Sequence, residues 1–319
     1  EAFCREYYGA AGEQVLAVME AIDAGSRRIP RITYGGWSDT QRIMSEDLIA
    51  EGGRRLEKAL AQVEGKARER LLRFRKTFDM YAHQARVVRA YYRALNDRTE
   101  DTIQALHTSL DGFFDFWERE NLSEICSPSI LARYARLKTL ELGKTATAAG
   151  DGGETDGDRL KALFAFDAVP ESLDHLFYLP ESWSFRLDIE DTGLEAGWQA
   201  EAYDHGSWQS ISTWKAFESQ GYPNVDGRFW YRVRFEAPAF PRNGKIFMRI
   251  GSLDDDGEIY INGRLAHTRH HDFPDAWQSS FEFDVTDYVR PGAVNTIAVR
   301  GYDGFGAGGL WRPSALYTR

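Results

Sequence analysis

The chain has 319 residues, and its 39 Lys and Arg against 49 Asp and Glu give a formal net charge of −10. That length suffices for two domains with separate cores, and no run approaches the roughly 20 consecutive apolar residues needed to cross a bilayer. The charge is unevenly spread: residues 1–150 hold 23 basic and 22 acidic residues, residues 151–319 hold 16 and 27, so the second half repels a phosphate backbone and argues against a nucleic-acid partner.

The N-terminus has no basic segment followed by an apolar one, so no export signal is visible, and Glu1 is not an initiator Met. The chain opens inside a helical pattern, as a fragment or processed product would. Cys4 and Cys126 are too few for a disulfide framework and lack metal-ligand spacing. Two buried thiols are expected, with a single bridge as the alternative.

Apolar residues in the first half recur at steps of three and four. Residues 12–23 form one such segment, and Ser45 opens another that runs through Ile49, Leu56, Leu60 and Val63. Gly52 and Gly53 interrupt it, at a cost of about 1 kcal/mol each against Ala unless a neighbour packs closely. Leu71, Phe74, Phe78, Tyr81, Ala85, Val88, Tyr92 and Leu95 make a continuous stripe. It predicts a helix over residues 64–95, roughly 45 Å long. Thr99 caps the next one, whose stripe is Ile103, Leu106, Leu110, Phe113 and Trp117, with Glu100 and Asp101 suited to its positive end. These two should pair antiparallel. Ser127 and Pro128 start a further helix with Ile130, Leu131, Tyr134 and Leu137 inward. The sum is a bundle of about five helices over residues 1–142.

Residues 143–158 (GKTATAAGDGGETDGD) have almost nothing to bury and read as a linker. Beyond it, over residues 159–319, short alternating runs take over: Trp183–Asp188, Phe229–Phe235, Lys245–Ile250, Glu258–Ile261, Ser280–Val285, Thr296–Gly301 and Trp311–Tyr317. Strands at this spacing predict a β-sandwich. The fold class is therefore α+β as separate domains, an all-α bundle followed by an all-β jelly-roll sandwich.

Within the sandwich, Trp183-Ser184-Phe185-Arg186-Leu187-Asp188, Gly193, Trp198, Tyr203-Asp204 and Trp208 open an ordered series of motifs. It continues through Glu218-Ser219-Gln220-Gly221, Trp230-Tyr231-Arg232, Asp254-Asp255, Ile259-Tyr260-Ile261-Asn262-Gly263, Phe283-Asp284-Val285-Thr286, Pro291-Gly292, Asn295, Val299-Arg300, Asp303 and Gly308-Gly309-Leu310-Trp311. The series resembles the sugar-binding jelly roll of family 2 glycoside hydrolases, of galactose-binding-like fold. Phe3-Cys4-Arg5-Glu6-Tyr7-Tyr8-Gly9 and the helix over Glu69–Leu95 are similar to the helical region that follows the barrel in a bacterial family related to hexosaminidases and α-glucuronidases. The resemblance implies a glycan partner, an upstream catalytic barrel in the same protein, and an extracellular or periplasmic location. It leaves room for one structural calcium.

Read physically, many of these motifs are framework. Asn262-Gly263 supplies the positive φ of a tight hairpin, and Thr286 with Asp287 can cap a turn. The candidate ligand contacts are aromatics and polar partners in loops: Trp214, Glu218, Tyr222, Asp255, His270, His271, Trp277, Asp303 and Phe305. Glu218 and Asp303 lie in motifs that, in the resembled domain, line the end facing the catalytic module; their alternative is to bond loop amides. His267, His270, His271 and Asp272 offer metal-ligand chemistry, but a solvated loop is the favoured reading because adjacent histidines on an extended segment point apart. Asp254-Asp255-Asp256-Gly257 lacks the spacing of an EF-hand. Gly304–Gly309 matches GxGxxG, but the chain ends ten residues later, without the helix that motif requires.

No nucleophile, base and orienting residue stand out together, so the expected role is noncatalytic glycan binding or positioning. A catalytic site between the halves, of glycoside hydrolase or polysaccharide lyase type, is the alternative. A structural or protein-binding module is the third reading.

Overall fold

The computed structural model describes residues 2–29, 39–122, 134, 137, 155–164, 173–241, 244–272 and 275–319. The chain folds as two compact units, Glu1–Gly143 and Lys144–Arg319. Among the described residues the first is helical, and the second has two antiparallel sheets, one short α-helix and two 3₁₀ turns.

In the helical unit, α1 (Ala2–Tyr8), α2 (Gly12–Ser26), α3 (Thr40–Ile43), α4 (Glu46–Leu60), α5 (Gly65–Asp97) and α6 (Glu100–Glu120) follow in order. Ser45 caps α4 by accepting from the Leu48 amide at 3.2 Å, and Thr99 and Thr102 close a reciprocal capping box on α6. The long helix α5 organises the unit, packing against α1, α3, α4 and α6. Its predicted stripe holds at Leu71, Phe78, Ala85, Val88, Tyr92 and Leu95, all buried, whereas Tyr81 is exposed. The second half of α5 is buried well beyond one stripe, at Val87, Tyr91 and Ala94 as well, because helices cover it on several sides.

Cys4 is a buried free thiol 4.0 Å from the Met19 sulfur, while Cys126 lies outside the described residues. Of the helix expected after Ser127, only Tyr134 and Leu137 are described; both are buried, and Tyr134 meets the Phe113 ring edge-on at 4.6 Å.

The second unit begins with α7 (Asp156–Leu163), capped by Thr155. Residues 155–158, assigned by composition to the linker, therefore start a helix. The strands are β1 (Asp174–Tyr178), β2 (Ser182–Leu187), β3 (Gln209–Ser212), β4 (Gly227–Glu236), β5 (Ile246–Ile250), β6 (Asp256–Ile261), β7 (Arg264–Arg269), β8 (Phe281–Asp284), β9 (Val294–Asp303) and β10 (Ala315–Thr318). One sheet has the order β1-β10-β5-β8, the other β3-β2-β4-β9-β6-β7. Strands β1, β3 and β7 were not among the predicted runs; β1 and β7 have no alternation of buried and exposed residues to betray them. The backbone of the larger sheet is the β4–β9 ladder, in register from Gly227↔Asp303 to Glu236↔Val294.

Both faces of the larger sheet are buried. Phe185, Phe229 and Tyr231 form an aromatic cluster on one face together with Phe217 and Tyr222. On the other, Trp230 packs with Trp198, Trp208 and Tyr260. The Trp230 indole donates to Asp188 at 2.9 Å, and the same carboxylate accepts from the Thr192 and Gly193 amides. Arg232 donates to the carbonyls of Trp198 and Ala200. These bonds fasten the 189–208 segment over the sheet, so several tryptophans of the acidic half are spent on a second core rather than on a ligand face.

Asn262 and Gly263, with φ of 51° and 78°, form the predicted tight β6–β7 hairpin, and the Asn262 side chain bonds the Thr296 amide and the Tyr288 carbonyl.

The paired glycines of α4 separate in meaning. A methyl at Gly52 would stand 2.6 Å from the Phe78 ring, while one at Gly53 would meet nothing within 4 Å. Gly53→Ala should therefore raise stability by about 1 kcal/mol through helix propensity, whereas Gly52→Ala should lower it by about 1–3 kcal/mol through overpacking. Urea melts of the two variants measure both.

Candidate functional site

Several of the features singled out from sequence converge at one end of the six-stranded sheet. There β9 ends at Asp303, β4 begins at Gly227 and β6 begins at Asp256. The glycine-rich segment after β9 crosses this end and is held by carboxylates. The Gly304 amide donates to Asp255 at 2.9 Å, the Phe305 amide to Asp303 at 3.1 Å, and the Gly308 amide to both oxygens of Glu218 at 3.0 and 3.1 Å. Gly309 and Asp254 bridge through backbone bonds, and Trp311 bridges to Trp214. No helix follows the glycines, so the dinucleotide fingerprint is a sequence coincidence.

The acids that hold the segment are largely withdrawn from water. Asp303 is fully buried and its Oδ2 has no hydrogen-bond partner among the described residues. Burial, followed by the charges of Asp226, Glu218 and Asp254, holds its carboxyl well above the ordinary range. Glu218 is pushed up to about 7, chiefly by burial and against the pull of its backbone bonds. Asp254 is raised by burial and then by its hydrogen bond and charge interaction with Asp255. The site thus contains carboxyl groups that hold protons close to neutral pH and can donate as well as accept hydrogen bonds.

The aromatic candidates divide. Phe305 is 67% exposed. Trp277, in the short 3₁₀ turn Ala276–Gln278, is 38% exposed and stacks on Trp311 with centroids 5.7 Å apart, while the Arg312 guanidinium lies 4.2 Å over Trp311. Trp214 is half-buried beneath Arg159, at 5.1 Å. Tyr222 must be corrected: it is fully buried, edge-on to Phe185 at 4.7 Å, with no ring face left for a ligand. Sequence could not separate it from its neighbours because an aromatic after a glycine suits a loop and a core equally.

The histidines separate as well. His271 turns inward, its Nδ1 2.6 Å from Asp255 Oδ1, and its amide donates to Asp256. His270 is exposed. His267 stacks on Phe283 at 4.4 Å, so the metal cluster of neighbouring histidines, disfavoured from sequence, does not form. The set that does assemble is Asp254, Asp255 and His271, with one ligand atom of each within 4.8 Å of the others. An imidazole nitrogen in so small a set does not suit calcium, which takes six to eight oxygens. Both Asp255 oxygens already face donors, His271 and the Gly304 amide. Asp254 and Trp311 belong to the site although neither was among its candidate ligand contacts; both stood in motifs of the ordered series, Asp254-Asp255 and Gly308–Trp311.

No protein-family model matches the chain. A β-glucuronidase of Formosa agariphila is 28% identical over 112 residues, which cover 31% of this chain and 11% of that protein. Among solved structures, Ruminococcus gnavus β-glucuronidase aligns with a TM-score of 0.41 and 22% identity, covering 47% of this chain and 30% of that one. The same enzyme in complex with D-glucuronic acid gives the same values. The chain is weakly related in sequence to part of a glycoside hydrolase, and it spans under a third of the length of these relatives.

The raised carboxyls set a pH dependence. A group held up in the fold stabilises it fully below its unfolded value, about 4.3 for Glu, and loses that contribution as pH rises through its folded value, about 7 for Glu218. Glu218→Gln should therefore show a smaller fall in stability than the parent between about pH 5 and pH 8. Urea midpoints across that range measure the difference, which also cancels the opposing histidines common to both proteins.

Proposed function

We propose that this chain is an accessory, noncatalytic portion of a longer glycoside hydrolase-like protein. Its sandwich, read as a jelly roll of the galactose-binding-like kind, binds a glycan or completes a glycan site at the end where Glu218, Asp254, Asp255 and Asp303 meet. The observation that carries this reading is the meeting of buried carboxyls, raised above the ordinary carboxylate range, with a backbone segment that displays Phe305 and leads to the Trp277–Trp311 stack. Sugar hydroxyls need partners that both donate and accept, which a protonated carboxyl provides. Aromatic faces cover the apolar C–H side of a sugar ring with little loss of rotamer freedom.

Under this reading Trp277, Phe305, Glu218 and Asp255 contact the glycan, and the buried Asp303 shapes the site by holding the Phe305 amide, with His271 positioning Asp255 and Trp214 supporting Trp311. His270 stands at the rim. The partners are a glycan and an upstream catalytic domain of the same protein, and the location is extracellular or periplasmic. The weak similarity to a β-glucuronidase supports the glycoside hydrolase relationship and puts glucuronides among the first glycans to test.

Calorimetric titration of the chain with a glycan panel, alongside turnover of chromogenic glycosides, tests the proposal. Binding without turnover is expected, and Trp277→Ala or Phe305→Ala should weaken it at least about tenfold, roughly 1.4 kcal/mol. Turnover would replace the reading with a catalytic one. Absence of binding across the panel would leave the sandwich as a scaffold.

A further inference from the structure

Three potential metal-ligand atoms meet at the start of β6, beside the glycine-rich segment. One atom each from Asp254, Asp255 and His271 lies within 4.8 Å of the other two. Two atoms bound to one zinc ion at about 2.1 Å stand at most about 4.2 Å apart, so a small side-chain adjustment closes the set on a single ion. The main chain of each member is fixed independently. The Asp254 amide and carbonyl pair with Gly309, the Asp255 amide donates to the Tyr302 carbonyl at 2.9 Å, and the His271 amide donates to the Asp256 carboxylate at 2.6 Å.

The contacts inside the set call for a bridging positive centre. His271 Nδ1 is shut off from water and lies 2.6 Å from Asp255 Oδ1, yet it makes no hydrogen bond among the described residues. A nitrogen lone pair and a carboxylate oxygen at that distance repel unless a proton or a cation lies between them. The two carboxyls stand in the same relation, since Asp254 is buried within hydrogen-bonding reach of Asp255. Asp303 adds to the charge. Its Oδ2 is fully buried without a hydrogen-bond partner among the described residues, and its carboxyl feels that of Asp254. The charges that act on Asp254 are those of Asp255 and Glu218, both acidic. Asp255 Oδ2, by contrast, accepts the Gly304 amide at 2.9 Å, which orients the carboxylate and leaves Oδ1 to the set.

We propose that Asp254, Asp255 and His271 bind one divalent transition-metal ion of the zinc class. Two carboxylates and an imidazole form a donor set that zinc accepts, and three protein ligands leave a coordination position for water or another oxygen. Calcium and magnesium, which take oxygen ligands in larger number, fit it poorly. The ion neutralises the paired carboxylates, satisfies His271 Nδ1 and joins the start of β6 to the segment that follows β7. Asp303 lies outside the coordinating set and contributes only its field.

The test is calorimetric titration of the metal-stripped whole chain with zinc chloride in the absence of any glycan, so that its outcome is independent of the glycan reading. One zinc per chain is expected. His271→Ala and Asp254→Asn should each weaken binding at least about tenfold, while His107→Ala, in α6, leaves it unchanged. Far-UV circular dichroism checks that the variants fold. Cobalt(II) on the unmutated chain should give a visible absorption band that zinc removes, and zinc should raise the unfolding midpoint saturably; neither readout needs a variant. Absence of zinc binding to the parent would overturn the proposal and leave a shared proton as the bridge. Binding of equal strength in His271→Ala would overturn it by placing the ion on other side chains. Calcium bound as tightly as zinc would also overturn it, because the imidazole would then have no role.

Discussion

The β4–β9 ladder is the constraint on which the sandwich depends. Ten residue pairs in unbroken antiparallel register fix which side chains of the two strands share a face, and a slip of one residue would turn all of them over. With the register set, Phe229 and Tyr231 enter one core and Trp230 and Arg232 the other. The same register places Asp303 at the end of the sheet opposite Gly227, beside the start of β6. The carboxylates collect there because three strand ends meet at one edge, although their residues are scattered from 218 to 303 in the chain.

Those carboxylates have a structural task before any ligand arrives. Glu218, Asp255 and Asp303 each accept a backbone amide from the 304–308 segment, which has few apolar side chains to anchor it. Gathering acids to hold a loop brings like charges together in a region poor in water, and both effects favour the protonated form. The framework reading and the ligand reading are therefore two consequences of one arrangement. An acid raised by burial and neighbouring charge becomes a better partner for a hydroxyl while it still fastens the loop.

The helical unit handles charge differently. Its acids and bases are nearly balanced in number, and several ion pairs among the described residues lie between neighbouring turns on the surface, as in Arg54 with Glu51 and Arg27 with Asp23. Such exposed pairs contribute little. The group around Arg89 departs from that pattern, because a buried guanidinium joins α5 to the start of α4 and to the carbonyls of the preceding turn.

Much of this was legible before the fold. The strict three-and-four spacing from Leu71 to Leu95 specifies a long helix because a period of 3.6 allows little else, and Asn262-Gly263 specifies a hairpin because few residue pairs tolerate two positive φ angles. Strands β1 and β7 escaped because edge strands bury too little to alternate. Tyr222 and the separated fates of His267, His270 and His271 escaped because local sequence gives side-chain spacing along the chain, whereas burial is decided by what arrives from elsewhere. Sequence by itself determined the two-part composition, the helical periodicity and the turns, all properties of neighbouring residues. Only the tertiary structure decided which acids meet, which aromatics keep an exposed face and which elements the buried Arg89 joins, because each of these depends on distances between residues remote in the chain.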